Sequence, residues 1–494
     1  MNKPSRFARD RLPLFSALGL GLAAHGFWLT NKLPFDDDLP NLFTKGATWV
    51  SGRYGLELTR LVMPDWSMPW IYGLMSLIFL ALAVCLIVRI FRIESPLLQV
   101  LLAGAFVCFP AEGATMGYAF TAAPYALALL ATMAGLWLFT ENRRGRWLLA
   151  PLLIAFSCSV YQGYFAFAAS FCVILMLSAL VREGQSARAV FLYGLRLLGL
   201  LLLSLALYGA AILFASRLLH LPLLEEAVNA RQSLPLRVAV AYSAWGKTLL
   251  KGYFAYVPNR LSLLLHLALL LAAGAALVLR LRGERDPACL GLLALLLFLF
   301  PLSCYCLYLL ADNAYLHSLA LYPFASLYLL CAVLLDGLSL PAGKPLQRLA
   351  ALALAGITLG GVYFSNALAL YAKLQYEETA AMYTSVIARV FSRPDFDESC
   401  RVALIGTADT GRYDVSENFP FEQLQLPGVN ITDGRQAENV IRYYLGFELP
   451  WASEAECAEL RASGALEDMP VWPYAGSVRR VGDLMVVKLA EEGP

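Results

Sequence analysis

Asp36, Asp37 and Asp38 stand in a row just beyond the first long apolar run of the chain. Three carboxylates beside a bilayer are costly to keep charged without water or a partner, which marks the triplet for chemistry. Mutual repulsion raises the proton affinity of at least one member, and that suits a general base. The same groups also suit hydroxyl binding or a divalent cation such as Mg2+ or Mn2+. The ordinary alternative is a solvated loop that caps the next helix, for which one aspartate would do. Arg53 in Ser51-Gly52-Arg53-Tyr54-Gly55 and Arg60 in Glu57-Leu58-Thr59-Arg60 come next. Arginine makes bidentate phosphate contacts, and flanking glycines let backbone approach closely. Each arginine taken alone could equally sit in a rim salt bridge.

Three further groups carry polar chemistry next to apolar runs. Lys247, Lys251 and Arg260 flank Tyr253, Phe254 and Tyr256. Cations with aromatics at this depth match a lipid headgroup, read either as an interfacial anchor or as a site for a lipid-linked phosphate. Tyr161 and Gln162 lie at the tip of an apolar hairpin, either as part of an aromatic belt or with the Gln162 amide bonding a sugar hydroxyl. Asp312 and His317, with Asn313 and Tyr315, form another polar tip, where His317 binds a phosphate or satisfies a backbone carbonyl. No P-loop, dinucleotide glycine motif, His/Cys metal spacing or nucleophile elbow occurs, which argues against ATP hydrolysis and a soluble nucleotide site. Nothing points to nucleic acid as a partner.

The elements that must position these residues are membrane helices. The chain has 494 residues, mean hydropathy +0.62, 59% hydrophobic and only 15% charged residues, where a soluble domain carries about a quarter charged. Apolar stretches near 14–32, 69–91, 96–111, 120–140, 147–163, 164–181, 189–216, 260–280, 287–310, 316–336 and 347–366 give about eleven spans of a ~30 Å core. The first follows Lys3, Arg6, Arg9 and Arg11 and reads as a retained anchor rather than a cleaved signal peptide. Basic connectors recur after every second crossing, at Arg89/Arg92, Arg143-Arg144-Gly145-Arg146, Arg182/Arg188, Arg280/Arg282/Arg285 and Lys344/Arg348. By the positive-inside rule they face the cytoplasm, with the N-terminus. The aspartates, the 217–259 loop and everything after about 367 then lie outside.

Residues 370–494 hold 20 of the 36 acidic and 11 of the 38 basic residues, a net of −9 against +11 for the rest. A basic membrane body followed by an acidic water-soluble domain is the expected organisation, with domains at 1–366 and 367–494. The fold class is therefore mostly α, a polytopic transmembrane helix bundle with a small C-terminal α/β domain. In that domain 366–392 reads as an amphipathic helix, 401–406 as a strand, Arg435 to Tyr444 as a helix and 483–489 as a closing strand. Eight cysteines sit in or beside apolar runs as packing residues. Cys400 and Cys457 would be able to form a disulfide in an oxidising compartment.

Four segments resemble the bacterial O-antigen glucosyltransferase (Gtr) family. They are Asn31-Lys32-Leu33-Pro34-Phe35-Asp36-Asp37-Asp38, Ser51-Gly52-Arg53-Tyr54-Gly55, Ser159-Val160-Tyr161-Gln162-Gly163-Tyr164, and Val471-Trp472-Pro473-Tyr474-Ala475-Gly476-Ser477-Val478 with Asp483 to Leu489. The resemblance implies a GT-C-like enzyme of the bacterial inner membrane with a periplasmic C-terminal domain. It implies transfer of a sugar, typically glucose, from a polyprenyl phosphate to a hydroxyl of a lipid-linked or surface glycan. The family's acidic pair falls on Asp36-Asp37 or Asp37-Asp38, and Arg53 falls near the donor phosphate. Inverting transfer needs a base for the acceptor and cations for the leaving phosphate, which these residues supply. A transporter or flippase would instead show ionisable residues near mid-span and broken helices. A glycan polymerase or ligase would use a polyprenyl-diphosphate donor.

Overall fold

The computed structural model describes residues 6–33, 36–44, 46, 48–49, 51–141, 145–220, 232–251, 259–282, 286–310, 318–338, 343–397, 399–407 and 434–491. These divide into two units. The first takes the described residues up to 32 and from 46 to 368. The second takes 33–44 and the described residues from 369 onward.

The first unit is helical because long runs of Leu, Ala, Val and Phe offer no turn chemistry, and apolar surroundings force every backbone group to pair within its own segment. Its helices are α1 (Arg6–Thr30), α2 (Tyr54–Thr59), α3 (Pro69–Ile90), α4 (Pro96–Val107), α5 (Pro110–Gly117), α6 (Ala119–Glu141), α7 (Ala150–Val160) and α8 (Phe165–Val181). Then come α9 (Ala187–Leu219), α10 (Leu234–Lys251), α11 (Asn259–Arg280), α12 (Pro287–Cys304), α13 (Leu307–Leu310) and α14 (Ser326–Leu335). The start of α15 (Gly343–Phe391) completes the unit. Boundaries follow local chemistry. Proline opens α3, α4, α5, α7 and α12, where its missing N–H costs nothing. The side chains of Ser95, Ser186 and Asp286 cap α4, α9 and α12.

Among the described residues eight helices are long and apolar enough to cross a membrane, or nine if the bent pair α4–α5 is one span. Each of the eleven apolar stretches contains helix among its described residues, but Arg146–Val160 and Leu319–Leu335 fall short of a full crossing. Small residues let the helices close up, as interhelical packing in lipid requires. A Cβ on Gly73 would lie 2.7 Å from Leu29, and one on Gly104 2.5 Å from Thr358.

The α4–α5 pair bends by 42°. Phe109 is extended and Pro110 restarts the helix, so late carbonyls of α4 lose their α-helical partners, and Phe106 keeps a 3.3 Å bond from the Phe109 N–H. Replacements come from other helices. His25 Nε2 donates to the Val107 carbonyl at 2.8 Å, and its Nδ1 accepts from the Ser365 hydroxyl at 2.8 Å. The Tyr322 hydroxyl donates to the Phe106 carbonyl at 3.0 Å. Buried Asp336 ties together the end of the unit that carries the basic connectors. Its carboxylate accepts from the Glu94 and Ser95 backbone at 2.9 and 3.0 Å and pairs with Arg182 at 3.3 Å. Arg280 donates to the Asp336 carbonyl at 2.5 Å.

The second unit is built on a three-stranded sheet of β1 (Arg401–Ile405), β2 (Val478–Val481) and β3 (Leu484–Lys488), in the order β1-β3-β2. β1 runs parallel to β3 with Arg401 opposite Leu484, and β2 runs antiparallel with Val478 opposite Val487. Both faces are covered, which explains the unbroken apolar run in β3. Val402, Met485 and Val487 pack with Tyr383, Val386 and Val390 of α15 and with Val440 and Ile441, which continue α16 (Gly434–Asn439). Ala403, Ile405 and Val486 pack on the other face with Met469 and with Leu460 of α17 (Glu454–Ala462). The two cysteines of the second unit belong to opposite faces, Cys400 to the first cluster and Cys457 to the second. The sheet lies between them, and the disulfide that the sequence left open is not formed.

Candidate functional site

The Ser51-Gly52-Arg53-Tyr54-Gly55 segment is a turn leading into α2, and it docks on the α7–α8 corner. Gly52 has φ +72°, and a Cβ there would sit 3.0 Å from the Tyr208 hydroxyl and 3.3 Å from Gln162 Nε2. Only glycine meets both demands. Gln162 Nε2 donates to the Ser51 carbonyl at 2.8 Å and to the Tyr208 hydroxyl at 2.9 Å. The Tyr208 hydroxyl donates in turn to the Gly52 carbonyl at 3.1 Å. Gly55 rides against α7, where an added Cβ would lie 2.8 Å from the Ser159 carbonyl carbon and the Val160 nitrogen. Tyr54 bonds the Ser159 side chain, and burial pushes its phenol above the ordinary value.

These contacts fix Arg53 as the residue before α2. It is half-buried, with Nη1 donating to the Tyr125 hydroxyl at 3.4 Å and its guanidinium 5.2 Å from the Tyr161 ring centre. Tyr125 and Tyr161 stack at 4.8 Å. Tyr164 meets both edge-on, at 6.1 and 5.6 Å. On the other side Trp49, Tyr54 and Tyr208 form a second stack. A guanidinium over aromatic faces is held by cation–π attraction worth about 0.5–2 kcal/mol, and it keeps its planar fork for an anion.

Glu112 extends the cluster inward. It is 1% exposed, its Oε1 has no hydrogen-bond partner among the described residues, and it lies within electrostatic reach of Tyr164 and Tyr322. It occupies the first turn of α5, immediately after the helix break, where the helix dipole favours a carboxylate. The sequence does carry a signal for it. Glu112 is the only charged residue between Glu94 and Glu141, and an ionisable group inside apolar helices is a functional candidate by default. Tyr125 and Tyr208 carry no such signal, because nothing local separates them from other span tyrosines.

The aspartates belong to the second unit. Asp36–Asp38 form one 3-10 turn. Asp37 is exposed, and its backbone carbonyl accepts from Asn41 Nδ2 at 2.5 Å. Asp38 is fully buried within electrostatic reach of Tyr376, and its neighbour Leu39 packs with Tyr376 and Tyr383 in the core of that unit. The side chain of Asp36 lies outside the described residues. Among the described residues no three His, Cys, Asp or Glu side chains converge as a metal ion would need.

The other sequence candidates are dispersed. Arg60 is exposed and held by Glu57 at 2.6 Å and by Asp65, and these bonds keep its guanidinium firmly protonated. Lys247 on α10 and Arg260 on α11 are exposed. The side chain of Lys251, and the whole of Asp312 and His317, lie outside the described residues. Of the expected donor and sugar contacts, the structure brings Arg53, Tyr161 and Gln162 together. Both N–H groups of Gln162 are already engaged in holding the turn.

A family model described as Glucosyl transferase GtrII matches residues 26–335. That segment contains the aspartate turn, the Arg53 cluster and Glu112. No curated protein and no solved structure matches the chain.

Proposed function

The chain belongs to the GtrII glucosyl transferase family, and on that premise we propose a donor, an acceptor and a base for its reaction. Membership makes it a glucosyltransferase of O-antigen modification, and its apolar helices make it a membrane protein. The proposed donor is a polyprenyl-phosphate glucose presented at the periplasmic face of the inner membrane. The acceptor is a hydroxyl of a lipid-linked or surface glycan. Such a donor brings a phosphate at headgroup depth and a tail that stays in the bilayer.

In this reading the acceptor oxygen attacks the anomeric carbon while a carboxylate takes its proton. The carbon–oxygen bond to the phosphate breaks, the electron pair leaves with the polyprenyl phosphate, and configuration inverts. Asp37 is the proposed base, since its side chain is exposed while Asp38 is enclosed. Arg53 is the proposed partner of the leaving phosphate, because the Tyr125 and Tyr161 contacts preorganise its fork. The observation that carries the reading is the family match over a segment that includes both residues. One feature favours a transporter instead, namely Glu112 at the start of a broken span. Transport would move the lipid-linked sugar across the membrane without creating a new glycosidic bond.

The test supplies the purified chain with radiolabelled polyprenyl-phosphate glucose and a glycan acceptor. Label in the glycan supports transfer, and label that crosses the bilayer still on its lipid supports transport. Asp37→Asn is expected to lower the rate about 100-fold or more without reducing folded yield. Asp38→Asn is expected to reduce folded yield, since a buried polar group loses its environment. Wild-type transfer by separate Asp36→Asn, Asp37→Asn and Asp38→Asn variants would remove the carboxylates from the mechanism.

A further inference from the structure

A cavity of about 630 Å³ lies at the basic end of the first unit, between the last turns of α3, α6 and α8 and the first turns of α9. It is lined by Arg92, Arg182 and Arg196, with Thr140, Glu183 and Tyr193 among their neighbours. The arginines differ in what already holds them. Arg182 is committed to the Phe91 carbonyl at 2.8 Å and to Asp336 at 3.3 Å. Arg92, whose side chain is 81% exposed, has only a 3.9 Å approach to Glu183. Arg196 makes no hydrogen bond or ion pair with any described residue and is exposed.

The position of Arg196 is the informative part. From Leu197 to Ser216 the chain runs twenty residues without a charge, up to Arg217. At about 1.5 Å per residue that run spans the ~30 Å hydrocarbon core. Arg196 therefore stands at headgroup depth. Phe191, Leu192 and Leu195 around it are exposed apolar residues, a surface suited to acyl chains rather than to a soluble ion. An arginine left without a counter-charge at this depth needs one from the lipid.

We propose that this cavity binds the phosphate of a membrane lipid, held by Arg196 and Arg92, with the tail lying along α9. Arg182, held in place by Asp336, forms a fixed part of the wall. Two lipids carry the required chemistry, an anionic phospholipid and an isoprenoid phosphate. The site lies apart from the Arg53 cluster, and its binding test does not depend on sugar transfer.

Native mass spectrometry of the full chain, released from neutral detergent, tests the proposal. The probes are dioleoylphosphatidylglycerol, dioleoylphosphatidylcholine and a polyprenyl phosphate. Phosphatidylglycerol adducts should exceed phosphatidylcholine adducts, and Arg196→Gln and Arg92→Gln should each reduce them about fivefold, the effect expected of one cation at a bilayer surface. Arg348→Gln, an exposed arginine elsewhere among the basic connectors, should leave them unchanged. Displacement of phosphatidylglycerol by equimolar polyprenyl phosphate identifies the isoprenoid as the preferred occupant, and lack of displacement identifies the phospholipid. Equal adducts for the two phospholipids, or wild-type adducts in both arginine variants, would overturn the site. A thermal-stability scan with phosphatidylglycerol supports the same reading if the lipid raises the wild-type midpoint and leaves that of Arg196→Gln in place.

Discussion

Arg53 shows how one side chain is prepared by its neighbours. A half-buried guanidinium set against Tyr161 and bonded to Tyr125 has lost most of its rotamer freedom before any ligand arrives. An anion that binds there meets a fork already in place. Arg53→Lys keeps the charge but removes the fork and its stacking. The expected result is a rise of about tenfold in KM for the lipid-linked donor, the worth of one charged hydrogen bond. Initial rates over a donor titration measure it, with folded yield as control, and an unchanged KM would detach Arg53 from the donor. At this scale the sequence was partly readable. Glycines around an arginine announced a close-fitting turn, and Gln162 stood out as an amide at a hairpin tip. Its use as a clamp on Ser51 and Tyr208 was not readable, because those partners lie 111 and 46 residues away. Arg60 had the same local appearance as Arg53, yet Glu57 and Asp65 hold it on the surface.

At the scale of elements, α2 is a short helix whose place is set by the absence of a side chain. Gly55→Ala would put a carbon 2.8 Å from the Ser159 carbonyl carbon and the Val160 nitrogen, and backbone cannot step aside. Overpacking of this kind costs about 1–3 kcal/mol, and it should appear as a lower unfolding midpoint together with slower transfer, because Arg53 moves with α2. A midpoint equal to wild type would mean that the helix is not docked this way. Hydropathy located all eight of the described helices long enough to cross a membrane, since apolar length is a strong signal, but its count of about eleven is higher than the eight or nine found among the described residues. It did not reveal the break at Phe109-Pro110, because both halves are apolar and the break is stabilised by His25 and Tyr322 far along the chain. In the second unit β1 and β3 were readable as apolar runs. β2, Val478-Arg479-Arg480-Val481, was not, since its arginines suggest a loop until Arg480 is seen bonded to Asp397 at 2.9 Å. The helix at Glu454–Ala462 had a readable start in the Ser453/Glu456 capping box.

For the molecule as a whole, the tail of the chain carries an excess of acidic residues, and carboxylates in the second unit make that unit sensitive to acid. Asp397 is held well below the usual carboxylate range by Ser399 and Arg480, Asp395 is lowered by Arg393, and Glu456 is lowered by the Ser453 backbone and hydroxyl. Folded values lower than the unfolded ones, about 4, mean that this stabilisation is fully present above that pH and is lost as pH falls toward the folded values. The groups are exposed, so solvent screening keeps the effect small. Thermal scans of the full chain between neutral and acidic pH, followed by tryptophan fluorescence, should show the midpoint falling below about pH 4. Arg480→Gln should flatten that fall, and an unchanged acid limb would show that these pairs contribute nothing. The sequence could not show that residues 33–44 join this unit, because Leu39 finds its partners more than three hundred positions later.

Phe106 is synthesised 216 residues before the tyrosine that caps its carbonyl, and Trp28 is synthesised 337 residues before the Ser365 carbonyl that takes its indole proton. While the ribosome is still extending the chain, the kinked segment has His25 on the Val107 carbonyl and the local 3.3 Å bond from the Phe109 N–H on the Phe106 carbonyl, and it lacks the Tyr322 hydroxyl. The packing of the early helices is thus completed by contacts that only the later helices supply.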